Sequence, residues 1–203
     1  MKFYIIAGEA SGDLHGSNLM KGIYRNCPDA EIRFRGGDMM AAVGGTKVRD
    51  YREGAVMGLS DVLRKAGRLL TDLRDCKRDI AAWKPDAVIL IDYPGFNLKI
   101  ARFAHKAGFR VFYYIAPKVW ASREGRIRQI RRYVDRLFII FPFEIPYFQA
   151  KGVDFVYKGN PLVDAIDSSG AMKTSREEFL RSSGLPDRPY LAFLAGSRKG
   201  EIS

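Results

Sequence analysis

Phe3-Tyr4-Ile5-Ile6-Ala7-Gly8-Glu9-Ala10-Ser11-Gly12-Asp13 decides the fold. Phe3 to Ala7 is an apolar run of the buried-strand kind, and Leu14 to Tyr24 has helical spacing. A buried strand that breaks through glycine into a helix start is where α/β proteins bind ligands. Glycine admits positive φ and close approach of the backbone. Ser11 and Asp13 are helix-capping types that can equally aim a hydroxyl or a carboxylate at a ligand. Glu9, a strand-end carboxylate among glycines, has no obvious packing role. Glycines at 8, 12 and 16 do not reproduce G-x-G-x-x-G, so a nicotinamide cofactor is not implied. Spacing alone leaves a capped tight turn and a ligand site equally open.

The same rhythm repeats downstream. Glu31–Arg35 reads as a strand, Met39–Val43 as a short helix and Thr46–Tyr51 as a strand. Val56–Trp83 is a long helical pattern, with Val56, Leu59, Val62, Leu63, Ala66, Leu69, Leu70 and Leu73 at helical period. Ala87–Ile91 is a near-continuous apolar strand of the parallel type. Strands are also expected at Arg110–Ile115, Leu137–Phe141 and Val153–Tyr157, and helices at Phe96–Ala107 and from Glu144 to Lys151. Strands alternating with helices predict a doubly wound parallel sheet. The pattern changes after Gly159-Asn160-Pro161. Residues 167–188 read as a polar linker with a short helix, and Tyr190–Ala195 as a new strand entering Gly196-Ser197-Arg198. The expected organisation is therefore a domain over 1–166, a linker over 167–188, and the start of an incomplete second domain over 189–203.

Three downstream features carry chemistry. Asp92 ends the Ala87–Ile91 strand, and Pro94-Gly95 fixes the turn after it. A carboxylate there can serve as a general base, or as the N-cap of the next helix. Trp120, flanked by Lys118 and Arg123, can stack on a ring or cover an acyl or sugar face, or else plug the core. Six arginines, at 123, 126, 128, 131, 132 and 136, fall within fourteen residues. A helix N-terminus after Ser197 and Arg198 would suit phosphate.

Charge narrows the partners. Thirty-four Lys and Arg against 23 Asp and Glu give +11, which favours phosphorylated substrates, an acidic membrane surface or nucleic acid. No zinc-finger or RRM-type pattern is present, so nucleic acid is not favoured. Cys27 and Cys76 match no metal or redox spacing, and no metal site is expected. They suit a reducing, cytoplasmic setting. No apolar run approaches the roughly 20 residues that span a bilayer. Arg64, Lys65 and Arg68 interleave with Val56, Met57, Leu59, Val62 and Leu63. That segment is either a core-facing crossover helix or a face lying on anionic lipid.

Taken in order, seven motifs resemble the lipid-A-disaccharide synthase family, bacterial glycosyltransferases of GT-B architecture. They are Ala7-Gly8-Glu9-Ala10-Ser11-Gly12-Asp13, Ala55-Val56-Met57-Gly58, Ile91-Asp92-Tyr93-Pro94-Gly95-Phe96-Asn97, Pro117-Lys118-Val119-Trp120-Ala121, Phe141-Pro142-Phe143-Glu144, Gly159-Asn160-Pro161 and Gly196-Ser197-Arg198. The resemblance covers essentially the whole chain. It implies a Rossmann-like acceptor-side domain of GT-B type plus the first strand of a truncated donor-side domain.

The implied reaction is an inverting transfer of 2,3-diacylglucosamine from UDP-2,3-diacylglucosamine to lipid X (2,3-diacylglucosamine 1-phosphate), releasing UDP without metal or cofactor. Asp92 and Glu9 match the catalytic carboxylates, and Arg198 with Ser197 would face the donor diphosphate. Ser11, Gly12, Asp13, Asn97, Lys118, Trp120, Arg123 and Asn160 are the substrate-binding candidates. The resemblance also implies a peripheral protein on the inner face of a Gram-negative cytoplasmic membrane, touching lipid through the Val56–Arg68 residues. It departs from the family at Ser122, where a second aromatic is usual. A chain without the donor side is expected to be inactive alone. Two other readings stay open: a non-catalytic acyl-sugar-phosphate or membrane-binding module, and a nucleotide-sugar epimerase-like GT-B protein.

Overall fold

The computed structural model describes residues 1–54 and 62–193. Contacts divide the chain into two units, Met1–Pro161 and Leu162–Ser203.

The first unit is a parallel sheet of seven strands: β1 (Lys2–Ala7), β2 (Glu31–Gly36), β3 (Thr46–Asp50), β4 (Ala87–Ile91), β5 (Arg110–Tyr114), β6 (Arg136–Ile139) and β7 (Phe155–Tyr157). Their spatial order is β3-β2-β1-β4-β5-β6-β7, every pairing parallel. The doubly wound sheet expected from the sequence is therefore present. From β1 the chain winds outward to β2 and β3, then returns to β4 on the other side of β1. The winding reverses between β1 and β4, where an open α/β sheet leaves a crevice at its carboxyl edge.

Six helices connect these strands: α1 (Ala10–Asn26), α2 (Asp38–Val43), α3 (Val62–Trp83), α4 (Pro94–Lys106), α5 (Ile127–Tyr133) and α6 (Glu144–Ala150). Strand alternation sorts them into two layers. Ile5 and Ala7 of β1 and Ile32 and Phe34 of β2 pack with Met20 of α1 and Met40 of α2. Tyr4 and Ile6 face the opposite layer, with Leu73, Cys76 and Ile80 of α3 and the buried faces of α4, α5 and α6. β4 is buried along its whole length, as its unbroken apolar sequence requires.

On the α3 side β2 presents two arginines. Arg33 pairs with Asp79 at 3.2 Å, and the Tyr4 hydroxyl donates to the same carboxylate at 2.8 Å. Arg35, almost fully buried, pairs with Asp72, which also takes Arg49 of β3 at 2.9 Å. Asp72 and Asp79 lie two turns apart on one helix face and fasten α3 across three strands. Burial raises the Cys76 thiol to about 12 in the same layer.

α7 (Pro161–Ser169), which opens the second unit, spans the end of the expected first domain and the first three residues of the expected linker. Proline suits a first helical position, and Leu162, Val163 and Ile166 continue a helical stripe. α8 (Arg176–Ser182) is N-capped by Ser175, whose hydroxyl accepts from the Glu178 N–H at 3.2 Å. Tyr190–Phe193 form no strand, with Leu191 and Phe193 almost wholly exposed; the remainder of that expected strand lies outside the described residues.

Asp72→Ala would leave Arg35 as a buried cation without its partner, a loss of about 3 kcal/mol. The midpoint of thermal unfolding should fall by about 9 °C. Asp75→Ala, which breaks only the exposed pair with Arg78, should leave the midpoint within about 2 °C.

Candidate active site

Ala7 and Ile91 are paired across β1 and β4, so the residues after them leave neighbouring strands at the carboxyl edge. Gly8-Glu9 emerges from β1 and Asp92-Tyr93 from β4, on either side of the switch point.

The two loops are built differently. At β1 the helix begins at once: the Asp13 N–H donates to the Glu9 carbonyl at 2.9 Å, making Glu9 the backbone N-cap of α1. The helix thus starts four residues before the expected Leu14. Ser11 is exposed in its first turn and donates to Glu9 Oε1 at 3.2 Å. Gly12 is on the buried face, where a Cβ would stand 3.2 Å from that of Ala7. Asp13, only 3% exposed, accepts from the backbone N–H groups of Gly37, Met39 and Met40 at 2.8–3.1 Å. Its carboxylate therefore caps α2, 24 residues on in sequence.

At β4 the backbone is strained. Asp92 and Tyr93 both adopt positive φ, 42° and 47°, a region non-glycine residues avoid. The Asp92 carbonyl accepts from the Tyr113 hydroxyl at 2.6 Å and from Asn97 Nδ2 at 2.8 Å; that amide also reaches the Ile91 carbonyl at 3.1 Å. Asn97 is wholly buried, so it holds this turn from beneath. Tyr93, not Asp92, stands at the N-cap position of α4, with Pro94 entering the first turn. The capping role considered for Asp92 is thereby not the one it fills, and its side chain is half-buried at the crevice. Consecutive strained residues held by buried partners mark a turn whose shape matters.

The loops meet through Gly8. A Cβ there would lie 2.3 Å from the Tyr93 ring, so only glycine lets that ring cover β1. The ring also stacks on Phe96, centroids 5.6 Å apart. Burial raises the Tyr93 phenol, and the charges of Asp72 and Glu9 add to the rise. Burial likewise raises the Tyr113 phenol, with Asp92 adding to it. Both phenols stay protonated at neutral pH, Tyr113 as a donor to the turn.

The β5 and β6 loops add an aromatic shelf at the same edge. Trp120 is 40% exposed, a rim position rather than a core plug. Its indole N–H donates to Glu144 at 3.2 Å, and its ring meets Phe143 edge-on at 4.9 Å. Phe143 stacks on Phe141 at 5.2 Å. Glu144, itself buried, also accepts from the Ile140 and Phe141 N–H groups at 3.1 and 3.0 Å. Sequence reading missed Phe143 and Glu144; the signal was the Phe141-Pro142-Phe143-Glu144 motif, quoted without a role.

Lys118 and Arg123 are exposed in the loop that carries Trp120, Arg123 with a φ of 58°. Asn160 is half-buried beyond β7. Arg68 is exposed on α3. Val56, Met57 and Leu59, the side chains of Val62, Leu63, Arg64 and Lys65, and Ser197 and Arg198 lie outside the described residues. Among the described residues, no three His, Cys, Asp or Glu side chains are grouped to hold a metal, and no helix is long and apolar enough to cross a membrane.

Gly8→Ala should cost about 2 kcal/mol by forcing the Tyr93 ring aside, read as a lower unfolding midpoint. Combined with Tyr93→Ala, the same change should cost almost nothing more. Additive losses would mean that Gly8 is required for a reason other than the ring.

With this geometry established, known proteins supply the family. A family model described as lipid-A-disaccharide synthetase matches residues 3–203. Curated relatives named lipid-A-disaccharide synthase include those of Geobacter metallireducens, 46% identical, and Syntrophus aciditrophicus, 44% identical. Each match covers 98% of this chain and 51% of the relative, so the chain spans about half the length of the relatives it matches. Among solved structures, the UDP-GlcNAc 2-epimerase of Neisseria meningitidis bound to UDP-GlcNAc superposes with a TM-score of 0.64 at 10% identity, over 91% of this chain and 53% of that one. MurG of Acinetobacter baumannii superposes with a TM-score of 0.54 at 11% identity, over 79% and 45%. At such identities these structures speak for a GT-B-like fold alone. The sequence matches, covering 98% of this chain at 44–46% identity, speak for more: the chain belongs to the lipid-A-disaccharide synthetase family.

Proposed function

We propose that the chain supplies the acceptor side of a lipid A disaccharide-forming glycosyltransferase. The single observation carrying this reading is the pair of carboxylates, Glu9 and Asp92, on facing loops at the switch point, with the Asp92 turn held in a strained form. The donor is UDP-2,3-diacylglucosamine and the acceptor lipid X.

Asp92 takes the proton from the acceptor 6-hydroxyl as its oxygen attacks the donor's anomeric carbon. The bond from that carbon to the UDP oxygen breaks, the configuration inverts, and UDP leaves. Glu9, bonded to Ser11, orients the acceptor. The Trp120–Phe143 shelf covers an apolar face of sugar or acyl chain, with Lys118, Arg123 and Asn160 as further substrate contacts. Ser197 and Arg198 face the donor diphosphate. The protein works at the anionic inner surface of the cytoplasmic membrane, where both acylated substrates reside, and the Val56–Arg68 residues touch that surface.

The test is a transfer assay on a polypeptide that joins these residues to the C-terminal half of the Geobacter metallireducens relative. Asn tolerates positive φ, so Asp92→Asn keeps the turn and removes the base. Turnover should fall by about a thousandfold, with the KM for lipid X within a few-fold. Unchanged turnover refutes the base assignment. Glu9→Gln should raise KM more than it lowers kcat; the reverse pattern would move the base to Glu9.

A further inference from the structure

We propose that a small cavity at the carboxyl ends of β1, β2 and β3 holds a ring hydroxyl of the acceptor sugar, the 4-hydroxyl of lipid X. The inference rests on the acceptor reading proposed above and adds a specificity site to it. The cavity measures about 40 Å³ and lies on the α3 side of the sheet, lined by Gly8, Tyr93 and the Arg35–Asp72–Arg49 cluster. It thus touches the residues next to Glu9 and Asp92 in the two loops at the switch point. Its volume suits a hydroxyl group or a few water molecules.

The lining selects a neutral, hydrogen-bonding group. Two guanidiniums, Arg35 and Arg49, share it with two carboxylates, Asp50 and Asp72, so their formal charges cancel. An anion would meet as much repulsion as attraction there, and an apolar chain would leave the charges without solvent. A hydroxyl both donates and accepts. Both arginines meet the same oxygen of Asp72, Oδ1, and among the described residues no hydrogen bond reaches Oδ2. Each guanidinium carries five N–H groups, more than these pairs occupy. Tyr51 and Tyr93 add two phenols, and among the described residues neither hydroxyl makes a hydrogen bond. Burial is the main cause that raises the Tyr93 phenol; Asp72 raises it further and Arg35 opposes, as expected of a hydroxyl facing that pair. The stacked rings of Tyr93 and Phe96 offer a flat apolar surface to the C–H edge of a sugar.

The acceptor's own chemistry picks the hydroxyl. In 2,3-diacylglucosamine 1-phosphate, positions 1, 2 and 3 are substituted and position 5 closes the ring, so only the 4- and 6-hydroxyls are free. With the 6-hydroxyl at Asp92, the 4-hydroxyl on the same edge of the sugar is left for the cavity at Tyr93. Asp92 and Tyr93 are consecutive residues, about 3.8 Å apart at Cα.

The experiment measures equilibrium binding of lipid X and of its 4-deoxy analogue to the 203-residue chain in detergent micelles. Hydrogen bonds between a hydroxyl and charged groups should make lipid X bind about tenfold more tightly than the analogue. Tyr51→Phe and Tyr93→Phe each keep the ring and should weaken lipid X by about fivefold while leaving the analogue unchanged. The unfolding midpoint should not move, because the Tyr93 ring still covers Gly8. Equal binding of the two ligands by the wild type would overturn the cavity site. So would weakening of both ligands alike in the phenylalanine variants, the mark of a structural role, or of neither. Loss of the preference in excess inorganic phosphate would overturn it as well, by making the cavity an anion site. Failure of both ligands to bind would overturn the acceptor reading and this inference with it. In the joined polypeptide, unchanged turnover by Asp92→Asn with the tenfold preference retained would refute the base and support the cavity; the two can thus fail separately.

Discussion

The carbonyl of Asp92 accepts two hydrogen bonds, from the Tyr113 hydroxyl and the Asn97 amide, and the shape of the sheet edge depends on that clamp. Two consecutive non-glycine residues at positive φ cost about 1–3 kcal/mol each. Each hydrogen bond returns only about 1 kcal/mol net, so the turn persists because its partners have nowhere else to go. Tyr113 and Asn97 are both wholly buried, and a buried hydroxyl or amide without a partner is itself destabilising. The clamp is therefore mutual: the Tyr113 hydroxyl and the Asn97 Nδ2 group find their acceptors on the strained turn, and the turn keeps its shape because of them.

Much of this architecture was legible in the sequence, and the failures have physical causes. The strand over Ala87–Ile91 was read to the residue, because a strand buried on both faces must be apolar throughout. The alternation in Glu31–Arg35 hid more, since the outward-pattern arginines Arg33 and Arg35 face α3 and meet its carboxylates. Asp13 read as a capping type, and it caps, but across 24 residues onto α2; residue type gave the chemistry and only the fold gave the partner. The helix Pro161–Ser169 was missed because Asn160-Pro161 reads both as a stop and as a helix start. For the site, Asp92 was visible as a strand-end carboxylate. Its strain was not, because nothing local demands positive φ at Asp-Tyr and the clamping hydroxyl lies 21 residues away.

Charge divides along similar lines. The excess of +11 is not one property of the surface. Part is structural: Arg35, buried, and Arg49, partly exposed, converge on Asp72 and join α3 to the sheet. The arginines of α5 spread over an exposed helix face whose buried residues are Ile127, Ile130 and Tyr133. Among the described residues, cations without a carboxylate partner and an apolar floor coincide between α3 and α4. A count of basic residues cannot separate these populations, because pairing is decided by which strands and helices become neighbours.

Solved structures that share this sheet include ones only 10–16% identical to it, so the architecture does not choose the chemistry. That choice lies with the side chains that emerge where the winding reverses. Gly8 and Tyr93 require one another, the ring filling the space a Cβ would take. The β1 loop bearing Glu9 and the β4 loop bearing Asp92 consequently cannot be redrawn separately. The aromatic shelf is held differently, by the single buried carboxylate of Glu144 reaching the Trp120 indole and two backbone N–H groups. A substitution at Trp120 or Phe143 can thus be made without disturbing the clamp, whereas a change at Gly8, Tyr93, Asn97 or Tyr113 alters the loops that bear both carboxylates.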